Sequence, residues 1–182
     1  MKPGLLLIDL QNDYFPGGRM ELVGMEAAAA RAGELLQAFR RRGLPTLHIQ
    51  HLAARPDAPF FRTGTPGAAI HESIRPRAGE TVMVKHFPNS FRETDLLERL
   101  KAAGIDEVVI CGAMSHMCID ATTRAAADYG FKCLVVHDAC ATRDLAWGEV
   151  TVPAAQVHAA FMAALGSYYA QMLSLEDLLR GF

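Results

Sequence analysis

Continuous apolar runs that alternate with helix-like segments are the feature of this sequence that most constrains its fold. Six short runs rich in Val, Leu and Ile are predicted to be strands, at residues 4–10, 45–50, 81–84, 107–111, 132–136 and 170–173. Their hydrophobicity is continuous rather than alternating, which indicates strands buried on both faces of a sheet. The sequence therefore predicts a parallel sheet that is covered by helices.

Helical patterns fill the intervals between these strands. Apolar residues recur at helical spacing from Met25 to Phe39, and Gly43 follows as a left-handed helix stop. Further helices are predicted between Thr94 and Gly104, between His116 and Tyr129, from Pro153 onward, and after Ser174, which forms a capping-box pattern with Asp177. This alternation predicts an α/β fold, a three-layer Rossmann-like sandwich with a six-stranded, mostly parallel sheet. We expect one domain over residues 1–182.

One segment breaks the alternation. Residues 52–79 are irregular and rich in Pro and Gly. A long irregular insertion in a small domain more often forms a binding site than a passive connection. We expect this segment to lie over the active site.

Composition excludes several classes of function. The formal net charge is -2 and no basic cluster is present, so we expect no nucleic-acid partner. Asp9 interrupts the first apolar run too early for a signal peptide, and the apolar stretch 152–173 contains Gln156, His158 and Gln171, so we expect no membrane span and a cytoplasmic protein. The four cysteines lack a CxxC pair, which favours reduced thiols over disulfides or zinc ligands.

Three residues that follow predicted strands are candidates for chemistry. Asp9, Lys85 and Cys118 come at or soon after the ends of the first, third and fourth strands, and ligands of open α/β sheets bind at the carboxyl ends of the strands. Each also has an ordinary structural interpretation, as a turn residue, a solvated lysine and a small core residue. A buried Asp9 would require a partner such as Lys85. Ser115 is predicted to cap the third helix, which would place Cys118 in a first turn that favours a thiolate.

Longer stretches around these residues resemble a known family. Residues 7–15 (LIDLQNDYF), the step Val84-Lys85 and residues 111–122 (CGAMSHMCIDAT) are similar, in the same order, to the isochorismatase-like cysteine hydrolases. The resemblance implies that Asp9 is the base, Lys85 the activating lysine and Cys118 the nucleophile. It also implies a cis peptide bond between Ala113 and Met114, with the N–H groups of Met114 and Cys118 forming an oxyanion hole.

The resemblance implies a cofactor-free hydrolysis of a small-molecule substrate. Cys118 would attack an amide-like carbonyl to give an acyl-enzyme, which water then cleaves. Isochorismatases of the family cleave a vinyl ether and need the aspartate more than the cysteine, so the presence of Cys118 favours carbon–nitrogen substrates without excluding ether cleavage. A third alternative is a non-catalytic ligand-binding or redox-sensing protein that uses Cys118.

Aromatic and polar residues near these motifs are candidates for the substrate pocket. Tyr14 matches an aromatic pocket position of the family, and aromatic loop residues could equally form core or subunit contacts. The proposed substrate-binding residues are Tyr14, Phe60, Phe61, Phe87, Asn89, His116 and Trp147. The apolar last helices and the loop aromatics also predict a homo-oligomer.

A metal site and a nucleotide site are both disfavoured. Nicotinamidases of this family carry an Asp-x-His pair and a second His after the second strand, whereas this chain has His48 and His51 there, with His71 further on. The carboxylate ligand is missing, so we expect no metal, and nicotinamide loses support as a substrate. No GxGxxG turn follows the first strand, which disfavours a dinucleotide-binding oxidoreductase.

Overall fold

Six parallel strands form the central sheet of the computed structural model, which describes residues 1–181. The strands of this sheet are β1 (Pro3–Ile8), β2 (Thr46–His51), β3 (Thr81–Lys85), β4 (Glu107–Ala113), β5 (Lys132–Ala141) and β8 (Gln171–Leu173). Their order in the sheet is β3-β2-β1-β4-β5-β8, and each neighbouring pair is parallel. All six predicted strands are therefore present, and the predicted fold class is confirmed. Phe182, the last residue of the predicted domain, lies outside the described residues.

Helices cover both faces of the sheet. One core packs α1 (Met25–Arg41) and α5 (Leu175–Arg180) against one face, and a second core packs α2 (Leu96–Ala102), α3 (Asp120–Asp128) and α4 (Ala154–Gly166) against the other. Continuous apolar strands such as β4 contribute alternate residues to the two cores, which explains their lack of hydrophobic alternation. No helix among residues 1–181 is long and apolar enough to cross a membrane.

Several boundaries differ from those predicted. β1 ends at Ile8 because Asp9 adopts a left-handed conformation with φ 53°. β5 continues to Ala141, past the half-buried pair His137 and Asp138, because a register shift opposite β4 lets pairing resume beyond them. A short antiparallel hairpin, β6 (Leu145–Trp147) and β7 (Val150–Val152), was not predicted.

Helix ends follow local chemistry. Gly43 takes up the left-handed conformation after α1, as predicted. The Ser174 hydroxyl accepts a hydrogen bond from the Asp177 amide at 3.1 Å and donates to its carboxylate at 2.6 Å, which confirms Ser174 as the N-cap of α5.

The strand order places a crevice at the carboxyl edge of the sheet. β1 lies between β2 and β4, and successive strands are added outward in opposite directions from β1 and β4. In open α/β sheets this switch point is where ligands bind. Asp9 directly follows β1 and Cys118 comes five residues after the end of β4, at Ala113, so these two residues flank the crevice.

Candidate active site

Asp9 is held on a sharp bend between β1 and the following turn. Its amide donates to the Ile49 carbonyl at 3.0 Å, and its side chain is fully buried. Positive φ is uncommon outside glycine and clusters at functional sites. Beside it, β1 and β4 approach so closely that a Cβ at Gly112 would lie 2.0 Å from the Ile8 carbonyl oxygen. Glycine at position 112 therefore permits the strand spacing that frames Asp9.

Lys85 brings the three predicted catalytic side chains together. It is fully buried at the end of β3, and its Nζ lies 2.8 Å from Asp9 Oδ2 and 3.2 Å from Cys118 Sγ. The same nitrogen lies 3.1 Å from His51 Nδ1 and 3.1 Å from the Phe87 carbonyl oxygen. An ammonium group has three hydrogens, so four acceptors compete for them. The Asp9 Oδ1 atom, by contrast, is buried without a hydrogen-bond partner among the described residues.

Cys118 lies in a short π-helical segment, Ser115–Ile119, that leads into α3. The amides of Met117 and Ile119 both donate to the Met114 carbonyl, at 3.0 and 3.2 Å. The Cys118 amide, which lies between them in sequence, takes part in neither of these two bonds. The predicted cap at Ser115 is wrong, because Met114 is the N-cap and Ser115 is already inside the segment. The Ser115 hydroxyl instead contacts His158 and the Ala141 carbonyl.

The protonation states of the three groups follow from burial and charge. Burial would raise the pKa of Asp9, but the Lys85 ammonium and His51 outweigh it, so this pKa is lowered. Burial would lower the pKa of Lys85, yet Asp9 and Cys118 raise it. Burial and the Asp9 charge raise the pKa of Cys118, and Lys85 offsets this only in part. These pKa shifts favour a carboxylate, an ammonium and a thiol in the resting site, and they oppose the thiolate predicted from the helix start.

A cis peptide bond lies just before the segment that carries Cys118. The Ala113–Met114 peptide bond is cis, directly after β4. It precedes the π-helical segment, so the Met114 and Cys118 amides belong to one turn that begins at the end of this strand. Such a turn can hold N–H groups toward an oxygen that develops negative charge.

The polar residues of the first motif fix the irregular insertion over the site. The Gln11 side chain exchanges hydrogen bonds with the backbone of His51 and donates to the Ala68 carbonyl. Asp13 accepts from the Phe61 amide at 2.7 Å. The buried side chains of Gln11 and Asp13 therefore hold the insertion in place, a structural role that was not predicted from the sequence.

Three of the predicted pocket aromatics form one cluster. The Tyr14 ring lies 4.5 Å from Phe61 and 6.0 Å from Phe60, centroid to centroid, and the His51 ring lies 5.8 Å from Phe61. Burial and the neighbouring Asp9 and Cys118 raise the pKa of Tyr14. The cluster therefore extends from the insertion to the predicted catalytic side chains.

Three other predicted pocket residues, Phe87, Asn89 and His116, make contacts with their own neighbours. Phe87 reaches Lys85 through its carbonyl, while its ring lies under the Arg92 guanidinium. The Asn89 side-chain oxygen Oδ1 accepts from the Phe91 amide within a turn, and His116 Nδ1 lies 2.7 Å from Thr142 Oγ1.

Trp147, another predicted pocket residue, lies at the tip of the unpredicted β6–β7 hairpin. Its side chain is 85% exposed. Its contact with a substrate stays a prediction.

The three histidines considered for a metal do not converge. His48 contacts Glu80, His71 stacks on Phe15, and only His51 reaches the site. Among residues 1–181 one metal-like grouping is found, in which Asp9, His51 and Cys118 place ligand atoms within 4.8 Å of one another. The Lys85 ammonium contacts all three of these groups, so the position of a cation is already taken by a side chain.

The contact between His51 and Lys85 was not predicted from the sequence. His51 was considered only as a metal ligand, because the two residues are far apart in sequence and meet only through the pairing of β2 with β3. The register that places His51 opposite Lys85 is the signal that could have revealed it.

Comparison with known proteins gives a consistent result. The family model for the isochorismatase domain matches residues 3–177. The uncharacterized isochorismatase family protein YddQ of Bacillus subtilis is 52% identical over 180 residues, covering 99% of this chain and 100% of that protein. A crystal structure described as an isochorismatase hydrolase of Oleispira antarctica has a TM-score of 0.96 at 54% identity, with 99% and 97% of the two chains covered. Maleamate amidohydrolase of Pseudomonas putida is 33% identical over 156 residues, covering 78% of this chain and 73% of that enzyme.

Proposed function

The chain belongs to the isochorismatase family of hydrolases, and from that premise we propose that it cleaves the carbon–nitrogen bond of a small amide-type substrate through an acyl-enzyme on Cys118. The observation that carries the proposal is the buried contact of Lys85 Nζ with both Asp9 Oδ2 and Cys118 Sγ. A base, a nucleophile and a fixed positive charge are thereby gathered at the switch point of the sheet. The similarity to maleamate amidohydrolase supports amide chemistry.

Proton transfer must accompany the attack of the thiol. The lowered pKa of Asp9 and the raised pKa of Cys118 make a free thiolate unfavourable before substrate binds. As Sγ bonds to the substrate carbonyl carbon, the thiol proton passes to Asp9, whose Oδ1 has no other partner among residues 1–181. The Lys85 ammonium stabilises the negative charge that moves from carboxylate toward sulfur and oxygen.

Collapse of the tetrahedral intermediate completes the first half of the reaction. The Met114 and Cys118 amides stabilise the oxyanion. The protonated Asp9 then gives its proton to the leaving nitrogen, so the amine departs neutral and the acyl group stays on sulfur. Water, deprotonated by the same carboxylate, attacks the thioester, and the acid product leaves with the thiol restored. This sequence uses no metal or organic cofactor.

The aromatic cluster of Tyr14, Phe60 and Phe61 favours a small substrate with an apolar acyl side. Tyr14 and Phe61 are fully buried and support Phe60, which is half-buried and is therefore the ring of the cluster that can contact a small molecule. Hydrogen bonds of the Gln11 and Asp13 side chains hold the insertion that carries Phe60 and Phe61. We expect the acyl side of the substrate to contact Phe60.

The test is hydrolysis of a panel of small amides, carbamates and isochorismate by the wild type, Cys118→Ala and Asp9→Ala, with amine release and intact-protein mass as readouts. The proposal requires turnover of an amide or carbamate, loss in both variants, and a trapped acyl adduct on the wild type. Cleavage of isochorismate alone, with activity retained by Cys118→Ala, would establish ether cleavage instead. Absence of hydrolysis with rapid oxidation of Cys118 would establish a redox role, which its raised pKa disfavours.

A homo-oligomer is part of the same proposal. Trp147, Val150 and Tyr168 are large side chains that are 60% or more exposed, and Trp147 and Val150 are paired on the β6–β7 hairpin. Exposed apolar groups of this size commonly contact another subunit. Light scattering at several protein concentrations tests this, and a monomer at every concentration would contradict it.

A further inference from the structure

His158 is the one ionisable side chain in α4. The helix has the sequence AAQVHAAFMAALG and carries no Asp, Glu, Lys or Arg. The His158 ring is half-buried, and its Nδ1 lies 2.8 Å from the hydroxyl of the fully buried Ser115. Buried polar groups are usually hydrogen-bonded, so this contact gives α4 a fixed polar link to the segment that begins at Ser115.

Ser115 connects this helix to the carboxyl ends of β4 and β5. It is fully buried, directly after the cis Ala113–Met114 bond, and it is the first residue of the segment that carries Cys118. Its hydroxyl donates to the Ala141 carbonyl at 3.3 Å, the last residue of β5 and the register partner of Ala113. A serine hydroxyl has one hydrogen, so when it lies on the Ala141 carbonyl the Nδ1–H tautomer of His158 donates to the Ser115 oxygen.

We propose that His158 is a positioning residue for the oxyanion hole, acting through Ser115 on the turn that contains the Met114 and Cys118 amides. The inference rests on the proposed function, because it assigns those two amides to the oxyanion. Through the chain of hydrogen bonds from His158 to Ser115 to Ala141, α4 fixes the turn against β5. Hydrogen-bond donors aimed at a developing charge lose much of their effect when displaced by a fraction of an ångström.

The surroundings of His158 keep its imidazole neutral. Burial and then His137 lower its pKa. The ring also lines an open surface groove with His137, Met162 and Met172. Because the groove is open, truncation of His158 leaves no sealed cavity, and we expect its variants to fold.

Reversible addition of a small aldehyde tests the role without requiring turnover. Cys118 Sγ bonds to the aldehyde carbon and the thiol hydrogen passes to the oxygen, giving a hemithioacetal whose oxygen occupies the oxyanion position. With acetaldehyde labelled with ¹³C at the carbonyl, the bound tetrahedral carbon is measured directly by NMR, and Cys118→Ala identifies the signal of the nucleophile.

The variants separate positioning from simple packing. We expect His158→Ala to weaken aldehyde addition about tenfold, and His158→Asn, whose amide replaces the Nδ1 donor, to stay within about threefold of the wild type. His137→Ala, the matched control from the same groove, should equal the wild type. In a double-mutant cycle, Ser115→Ala with His158→Ala should be no weaker than Ser115→Ala alone, because both remove one hydrogen-bond chain.

Three results would overturn the inference: undiminished addition to His158→Ala, an Asn variant as weak as the Ala variant, or additive effects of Ser115→Ala and His158→Ala. Lack of aldehyde addition by the wild type would also overturn it, since no oxyanion site would then exist to be positioned. If the wild type adds the aldehyde but hydrolyses no amide or carbamate, the proposed function fails while the role of His158 is still decided by the variants.

Discussion

Two charged clusters lie at opposite ends of β2 and β3, and their carboxylates, Glu80 and Asp9, differ in how many of their oxygens accept hydrogen bonds. At the amino end, Glu80 accepts from Arg40 at 2.6 and 2.7 Å, from the Arg77 amide at 2.8 Å and from His48, whose Nε2 lies 3.1 Å away. Both carboxylate oxygens are therefore occupied. This cluster ties α1 to the start of β3.

At the carboxyl end, the carboxylate of Asp9 is only half satisfied. Its Oδ2 accepts from Lys85, while Oδ1 is buried without a partner among the described residues. Lys85 has more acceptors than hydrogens, and a thiol lies within reach. The Glu80 carboxylate thus has both oxygens occupied, whereas the Asp9 carboxylate keeps one buried oxygen that can accept a proton.

Removal of the nucleophile should produce the largest effect. Cys118→Ala should reduce hydrolysis by at least about 10⁴-fold, because no other group at the site can form the acyl-enzyme. Initial rates with the substrate identified in the panel measure this. Cys133→Ala is the matched control, since Cys133 is also a buried thiol but contacts only backbone carbonyls. Similar losses in both variants would mean that the defect is one of packing.

Asp9→Asn should reduce both activity and stability. We expect a loss of about 10³-fold in kcat/KM, because the amide cannot accept the thiol proton, and a fall of about 3 kcal/mol in the free energy of unfolding, because Lys85 is left buried without its counter-charge. Urea denaturation measures the second quantity. Adding Lys85→Met should restore stability but not activity. An active Asp9→Asn variant would remove Asp9 from the mechanism.

Glu80→Gln should change stability and leave activity unaltered. Hydrogen bonds from Arg40 hold the pKa of Glu80 at about 2, below its usual 4.5. A carboxylate with a depressed pKa stabilises the fold above pH 4.5, and this contribution is lost as pH falls toward 2. We expect a loss of about 1 kcal/mol at pH 7, since the pair is partly open to solvent. Urea denaturation of both proteins across this pH range should converge at its acid end. A constant difference would contradict the assignment.

The contrast between the clusters also shows what the sequence could and could not reveal. The strands are predictable because β1, β4 and β5 carry continuous apolar runs. Asp9, Lys85 and Cys118 can be identified because they lie at or after the ends of β1, β3 and β4 and within motifs similar to those of the family. The protonation state of Cys118 was not predictable. A helix start favours a thiolate, but complete burial beside Asp9 dominates, and burial depends on tertiary packing.

Contacts between distant segments account for most of the other omissions. His51 meets Lys85 only because β2 and β3 pair in one register, and Ser115 meets His158 across 43 positions of sequence. The β6–β7 hairpin escaped prediction because each strand has three residues, too few to show an alternating pattern. Trp147 lies on this hairpin and is exposed, whereas the sequence alone suggested an aromatic residue of a loop that lines the pocket.

The smallest effect is expected from His48→Gln, which tests whether the two clusters are independent. Burial lowers the pKa of His48, so a neutral imidazole donates through Nε2–H to Glu80, and its buried Nδ1 has no partner among residues 1–181. A glutamine amide can supply the same donor, so we expect a loss below about 1 kcal/mol and unchanged kcat and KM. Urea denaturation and steady-state kinetics measure these quantities. His48 and His51 lie on the same strand, however, and His51 contacts Lys85. An altered kcat with unaltered stability would therefore mean that β2 transmits changes from the Glu80 cluster to the Asp9–Lys85 cluster. The two clusters would then not be independent.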